Sequence, residues 1–324
     1  MAEQRLEYMD LCKIVAIYMV TFAHCAQQLS GETFPNLLIS KDSFISINMA
    51  IFMIISGFFI NMDKMRTVRT KDYVMSKAKR LLFPMIGWYA VMCFVLFLEP
   101  SFTYCWTIYW YLGSLFVCSS LIKLLTNVTS NTKAVCLLSI LLLMLAPTIT
   151  FERSCYMIPF LWVGYGLRYV MDRISKTVVA ILFVTYVVMY YFWNVGYSVY
   201  VVPFHFWDAD GQMFVALLFR FTIGVVGGVC FIGLLKHLTA CRTFGWLRQF
   251  AKYGRYTLAF YTISFVLNAM LVRVMWHTNW YVSEPGCLDL LSFIVTTLMM
   301  VLMYFMQKLL ERNRLTRLIF LGEE

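Results

Sequence analysis

Five stretches of this chain, residues 43–62, 81–98, 102–122, 134–151 and 290–307, contain no Asp, Glu, Lys or Arg. Each approaches the ~20 apolar residues that a helix needs to cross the ~30 Å hydrocarbon core of a bilayer. No water is available there to bond backbone N–H and C=O groups, so a spanning segment must be helical or part of a closed barrel. Barrel strands alternate apolar and polar residues, and these runs do not. The deficit of charge is global: 14% of the 324 residues are charged and 61% are hydrophobic, against roughly 25% charged in soluble domains. The sequence therefore predicts an all-α, polytopic membrane protein of about ten transmembrane helices in one domain over residues 1–324. The spans fall near 11–30, 44–62, 82–98, 106–125, 134–151, 155–171, 177–195, 212–235, 256–275 and 289–307.

Basic residues near span ends resist translocation. With the N-terminus inside, all of the 27 Lys and Arg except Lys41, Arg153, Arg220 and Arg273 gather on the inner side, Lys123 among them. Both termini are thus predicted cytoplasmic. The net charge of +10 is read as attraction of these loops to anionic lipid headgroups rather than to nucleic acid. The first apolar segment is too long, and lacks the cleavage site, for a removable signal peptide. The ten cysteines form no Cys-x-x-Cys pair and no run with His at zinc spacing, so no metal site is expected. Cys25, Cys105, Cys155 and Cys287 fall near the outer face, which leaves a disulfide among them open. Gly224 and Gly228 have the spacing that lets two helices approach closely. Trp193, Tyr197 and Tyr200 suggest that the seventh span emerges into an interfacial loop carrying His205, Asp208 and Asp210.

Ionisable groups inside a bilayer are costly and by default mark function. All seventeen carboxylates lie at span ends or in loops, Asp10 and Asp289 being border cases. A transporter coupled to protons or sodium would hold one near the midplane. The first span instead carries His24, with Lys13 eleven residues before it and Asp10 three before that. At 100° per residue all three share one face within about 40°, and Lys13 lies ~16 Å from His24 along the axis. His24 then sits in the outer half of the membrane. A neutral imidazole can take a proton from an alcohol or attack an acyl carbon itself. The same spacing also suits a packing histidine and a lysine that snorkels to the headgroups. Lys77 and Arg80, just cytoplasmic of the third span, are neighbours on one helical face. They suit phosphate binding or, equally, an anchor to the inner leaflet.

These residues carry a resemblance. The first span, Tyr8-Met9-Asp10-Leu11-Cys12-Lys13 through Ala23-His24, is similar to the opening motif of the membrane-bound acyltransferase 3 family, bacterial O-acyltransferases. There a basic residue, more often Arg, precedes an essential histidine by eleven positions. Phe52–Phe59 resembles the family's Phe-Phe-x-x-Ser-Gly-Phe/Tyr-Leu segment, and Lys77-x-x-Arg80 its Arg-x-x-Arg motif before Leu-x-Pro. Trp110-Tyr111-Leu112, Phe160–Tyr165 and Gly254–Tyr261 follow in the family's order over almost the whole chain. Ser264, where members often have His or Gln, and Asn48, where some have His, depart from the pattern and bear on acceptor specificity. The chain is expected to be a stand-alone form without a fused C-terminal domain.

The resemblance implies transfer of an acyl group, acetyl above all, from cytoplasmic acyl-CoA to a hydroxyl of a surface or exported glycan at a bacterial inner membrane. It implies catalytic roles for His24, Lys13 and Asp10, and acyl-CoA binding by Lys13, Lys77 and Arg80. Arg220 and Arg273 are candidates for an anionic acceptor or a developing oxyanion, or for pairing with Glu152 or Asp208. Glu99, Glu152, His205 and His277 are outer-face candidates. The competing class is a transporter or flippase for a glycan or lipid-linked precursor.

Overall fold

The computed structural model describes residues 6–32, 43–145, 152–194 and 211–323. It is 87% helical, with no strand among the described residues. The helices are α1 (Glu7–Ser30), α2 (Ser43–Phe58), α3 (Met62–Thr67), α4 (Thr70–Leu96), α5 (Phe102–Ile108), α6 (Trp110–Val128) and α7 (Thr132–Met144). They continue with α8 (Glu152–Val170), α9 (Lys176–Tyr191), α10 (Gly211–Ala240), α11 (Arg248–Ala251), α12 (Thr257–Thr278), α13 (Pro285–Leu310) and a short α14 (Arg314–Thr316). Helical residues fall within each of the ten predicted spans, residues 146–151 of the fifth and 195 of the seventh lying outside the described ones. Six helical stretches, among them α1, α4, α6 and α13, are long and apolar enough to cross a membrane, and α2, α7 and α9 are shorter apolar helices. Phe183, Val184 and Val187 of α9 and Leu290, Phe293, Leu298 and Phe305 of α13 are exposed. Apolar faces of that extent are unusual on soluble monomers and suit contact with lipid. The protein is an all-α, multi-pass membrane protein.

Glycines set the tightest helix contacts. A Cβ on Gly57 would lie 1.8 Å from the carbonyl oxygen of Leu161, and one on Gly164 would lie 1.9 Å from that of Ile54. Thus α2 and α8 touch backbone to backbone at two reciprocal points, as small residues permit between helices in lipid. A Cβ on Gly224 would meet Phe160, and one on Gly228 would meet Ile54, both at 2.9 Å. The Gly-x-x-x-Gly spacing therefore packs α10 onto the same pair. Through these contacts α2 is enclosed by α1, α8 and α10, while α12 packs on α1, α4 and α13.

Two span boundaries differ from expectation. The fourth span breaks at Tyr109, which leaves helical geometry (ψ 29°) between α5 and α6, so the spanning helix starts at Trp110 rather than 106. The third begins twelve residues early, at Thr70, and runs on through Pro84 as one helix. Lys77 and Arg80 hence ride on the rigid extension of α4. Lys123, counted with the inner-side charges, is only 1% exposed. Its helix continues to Val128, and its ammonium donates to Asn127 Oδ1 one turn on (2.9 Å), near carbonyls that favour a cation.

Candidate functional site

One cluster is built on the first turns of α1. The stretch 7–30 contains no Gly or Pro, so the helix runs unbroken from Asp10 to His24 and holds both on one face. Asp10 is buried, and its Oδ1 accepts from Lys13 Nζ at 3.0 Å. The Lys13 ammonium lies 5.1 Å from the centroid of Phe59, just beyond α2, a favourable cation–π distance. Gly254, in the turn before α12, abuts the same helix: a Cβ there would lie 2.5 Å from Asp10 Cβ and 2.6 Å from Asp10 O. The adjoining Tyr256 hydroxyl accepts from Lys308 Nζ (2.8 Å), which also donates to Glu311 (2.7 Å).

At the other end of α1, His24 is half-buried. Its Nδ1 lies 3.2 Å from Gln27 Oε1, and its ring lies 5.2 Å from that of Phe265 on α12. α1 stops at Gly31, which adopts a left-handed conformation (φ 73°) and donates its N–H to the carbonyl of Gln27. The same residue thus caps the helix through its backbone and holds the histidine through its side chain. Between the two ends runs a train of aromatic contacts. Ser56 Oγ and Tyr111 OH are 3.4 Å apart. Tyr111 meets Tyr261 (5.5 Å), Tyr261 meets Phe265 (5.2 Å), and Phe265 reaches both Tyr109 and His24. Beyond His24, a cavity of about 230 Å³ opens beside Gln27, Gln28, Glu32, Trp276 and Tyr281.

Lys77 is half-buried against Tyr73 (5.6 Å from the ring centroid), with Lys64 and Arg80 in electrostatic range. Arg80 is exposed at the side chain, and the C-terminal tail is seated on its backbone, where a Cβ on Gly322 would lie 2.4 Å from Arg80 O. Neither residue bonds to Asp10 or Lys13. The structure therefore joins Asp10 to Lys13 and sets Lys77 beside Arg80.

The sequence profile of the acyltransferase domain family matches residues 6–305, which takes in α1 through most of α13. The chain belongs to the acyltransferase 3 family. Searches of curated proteins and of solved structures find no match. This acyltransferase shows no group of three His, Cys, Asp or Glu side chains placed to hold a metal among its described residues.

Other candidates of the acyltransferase fare differently. Arg273 donates to the carbonyl of Val95 and stacks on Phe97 (4.7 Å), so it caps the C-terminal end of α4, whose last carbonyls lack helical partners. Arg220 is buried over the ring of Tyr156 (4.3 Å). Glu99 and His277 are exposed. His205 and Asp208, and the side chain of Glu152, lie outside the described residues. Ser264 donates within its own helix to Tyr261 O, and Asn48 Oδ1 accepts from the next N–H in its chain, that of Met49. All ten cysteines are free thiols, and Cys25 packs on Met299. Asp289, placed at the outer border by sequence, is 2% exposed on a buried face of α13 with Ser292 and Thr296. Sequence reasoning missed Gln27 and Phe265. Gln27 was within reach, since a residue three after His24 shares its helix face.

Proposed function

We propose that this acyltransferase moves an acyl group, acetyl in the simplest case, from cytoplasmic acyl-CoA to a hydroxyl of a surface or exported glycan across a bacterial inner membrane. Ten crossings with both termini inside put Lys13, Lys77 and Arg80 on the donor side and His24 on the acceptor side. The observation that carries this reading is His24 itself: a histidine clamped by Gln27 and Phe265 on the same helix face as the Asp10–Lys13 pair. With Gln27 Oε1 accepting, Nδ1 holds the proton and Nε2 keeps its lone pair.

In this scheme Lys77 and Arg80 bind the phosphates of the donor by charge-assisted hydrogen bonds. Lys13, oriented by Asp10, adds a cation where the pantetheine arm enters. The arm extends along the aromatic train toward His24. The imidazole removes the proton of the acceptor hydroxyl as its oxygen attacks the thioester carbonyl. The C–S bond then breaks, an ester forms, and the CoA thiolate leaves with the proton returned from the imidazolium. Attack by Nε2 itself would give the same products through an acyl-imidazole.

The test uses purified protein in vesicles, with labelled acetyl-CoA on the face that bears Lys77. Base-labile label in a glycan acceptor on the opposite face is the expected result. Movement of the unmodified glycan across the vesicle without label transfer would overturn the reading in favour of a flippase.

A further inference from the structure

We propose that the cavity at the outer end of α1 is the acceptor subsite and that it takes one uncharged or amine-bearing sugar ring. This rests on the acyl-transfer reading above and adds to it a location, a ring count and a charge preference. The cavity is built from two elements that are fixed to each other. Val282 donates its N–H to Leu29 O (2.9 Å), pinning the α12–α13 connection onto the end of α1. The ring of Tyr281 rests on Gly31, where a Cβ would lie 2.9 Å from its Cδ1 and where φ of 73° already disfavours any side chain.

The lining chemistry is that of a carbohydrate site. A sugar ring offers a face of C–H groups and a rim of hydroxyls that both donate and accept. Trp276 and Tyr281 supply flat apolar surfaces, while Gln27 and Gln28 each supply a carboxamide with two donors and an acceptor. Glu32 accepts only, and none of the described residues lining the cavity is basic. An acidic sugar would meet a carboxylate with no compensating cation among the described lining residues, whereas a neutral or protonated amino sugar would not. At about 230 Å³ the space falls below the roughly 300–1,000 Å³ of drug-sized pockets, which suits one ring and leaves the rest of a glycan outside.

Aromatic residues also gather at membrane interfaces as belts, and Trp276 is 76% exposed. A belt residue has no need of a concave surface or of carboxamides beside it. Here both rings share the cavity with Gln27, whose side chain is bonded to His24. Gln27 thus links the cavity to the imidazole.

Saturation-transfer NMR on the purified protein in detergent tests this, with methyl glucoside, methyl glucosaminide and methyl glucuronide as probes. Wild type should transfer saturation to the first two and not to the third. Trp276→Ala should weaken that binding at least tenfold, and Tyr281→Ala provides a second, independent removal of an aromatic wall. Glu32→Gln should admit the glucuronide. Absence of transfer from wild type, or binding by both aromatic variants as strong as that of wild type, would overturn the subsite. Acyl transfer measured alongside separates the two readings. Sugar binding with this residue dependence but no acyl transfer by wild type sinks the acyl-transfer reading and leaves the subsite. Unchanged acceptor KM in Trp276→Ala and Gln28→Ala, with transfer intact, sinks the subsite alone.

Discussion

Replacing Gly254 by alanine puts one methyl group against the backbone that carries Asp10. The new Cβ would stand 2.6 Å from Asp10 O and 2.7 Å from Asp10 Cα, where ordinary contact starts at 3.4 Å. The overlap is therefore about 0.8 Å against the first atom and about 0.7 Å against the second. Both are backbone atoms, so no rotamer change relieves them, and α1 or the turn before α12 must shift by that distance. Overpacking of this kind costs typically about 1–3 kcal/mol. A misplacement approaching 1 Å can cost about 10²-fold in rate, so acyl transfer should fall roughly 10- to 100-fold with a measurable drop in melting temperature in detergent. Gly245, in the same inner connection, has open space at its Cβ position, and Gly245→Ala should change neither. Labelled acyl transfer in vesicles and a thermal melt read the two effects. Wild-type rate and melting in Gly254→Ala would refute the idea that this turn positions Asp10 and Lys13.

Gly57→Ala and Gly164→Ala meet carbonyl oxygens at 1.8 and 1.9 Å, a worse overlap than at Gly254, and should lower melting temperature further and reduce accumulation in the membrane. Neutralising Lys77 and Arg80 together should raise the acyl-CoA KM at least about tenfold with little change in kcat, if these cations bind phosphate; an unchanged KM would assign them to lipid anchoring. Arg273→Ala removes a charged donor from the end of α4 and should cost stability by about 1–3 kcal/mol while leaving turnover near wild type. A large loss of turnover without loss of stability would return Arg273 to the reaction.

What could be read in the sequence was what is local. The shared face of Asp10, Lys13 and His24 follows from helical periodicity alone, and the Asp10–Lys13 ion pair needs only a three-residue offset. The apolar runs locate the helices because the bilayer sets their length. The partners of His24 from outside its helix were not legible. Phe265 lies more than two hundred residues away and reaches the imidazole only through the packing of α12 on α1. The same holds for Trp276 and Tyr281, which read as interfacial aromatics until α1 ends beside them. Gly254 was visible as part of a segment shared with a family, yet its contact with Asp10 depends on two segments distant in sequence meeting. The burial of Lys123 was not legible either, because it depends on its helix continuing to Val128. Ser101 caps α5, which stops at Ile108 before a non-helical Tyr109, and no composition signal marks that break.

If His24 performs the transfer, and Lys13, Lys77 and Arg80 only deliver the donor, then binding and chemistry separate at one side chain. His24→Ala, purified in detergent and returned to vesicles, tests it by two readings on one sample: binding of labelled acyl-CoA and transfer of its acyl group to acceptor. Acyl-CoA binding should stay close to that of wild type while transfer falls by a factor of at least about 10². Transfer at the wild-type rate, in protein that binds acyl-CoA normally, would contradict it.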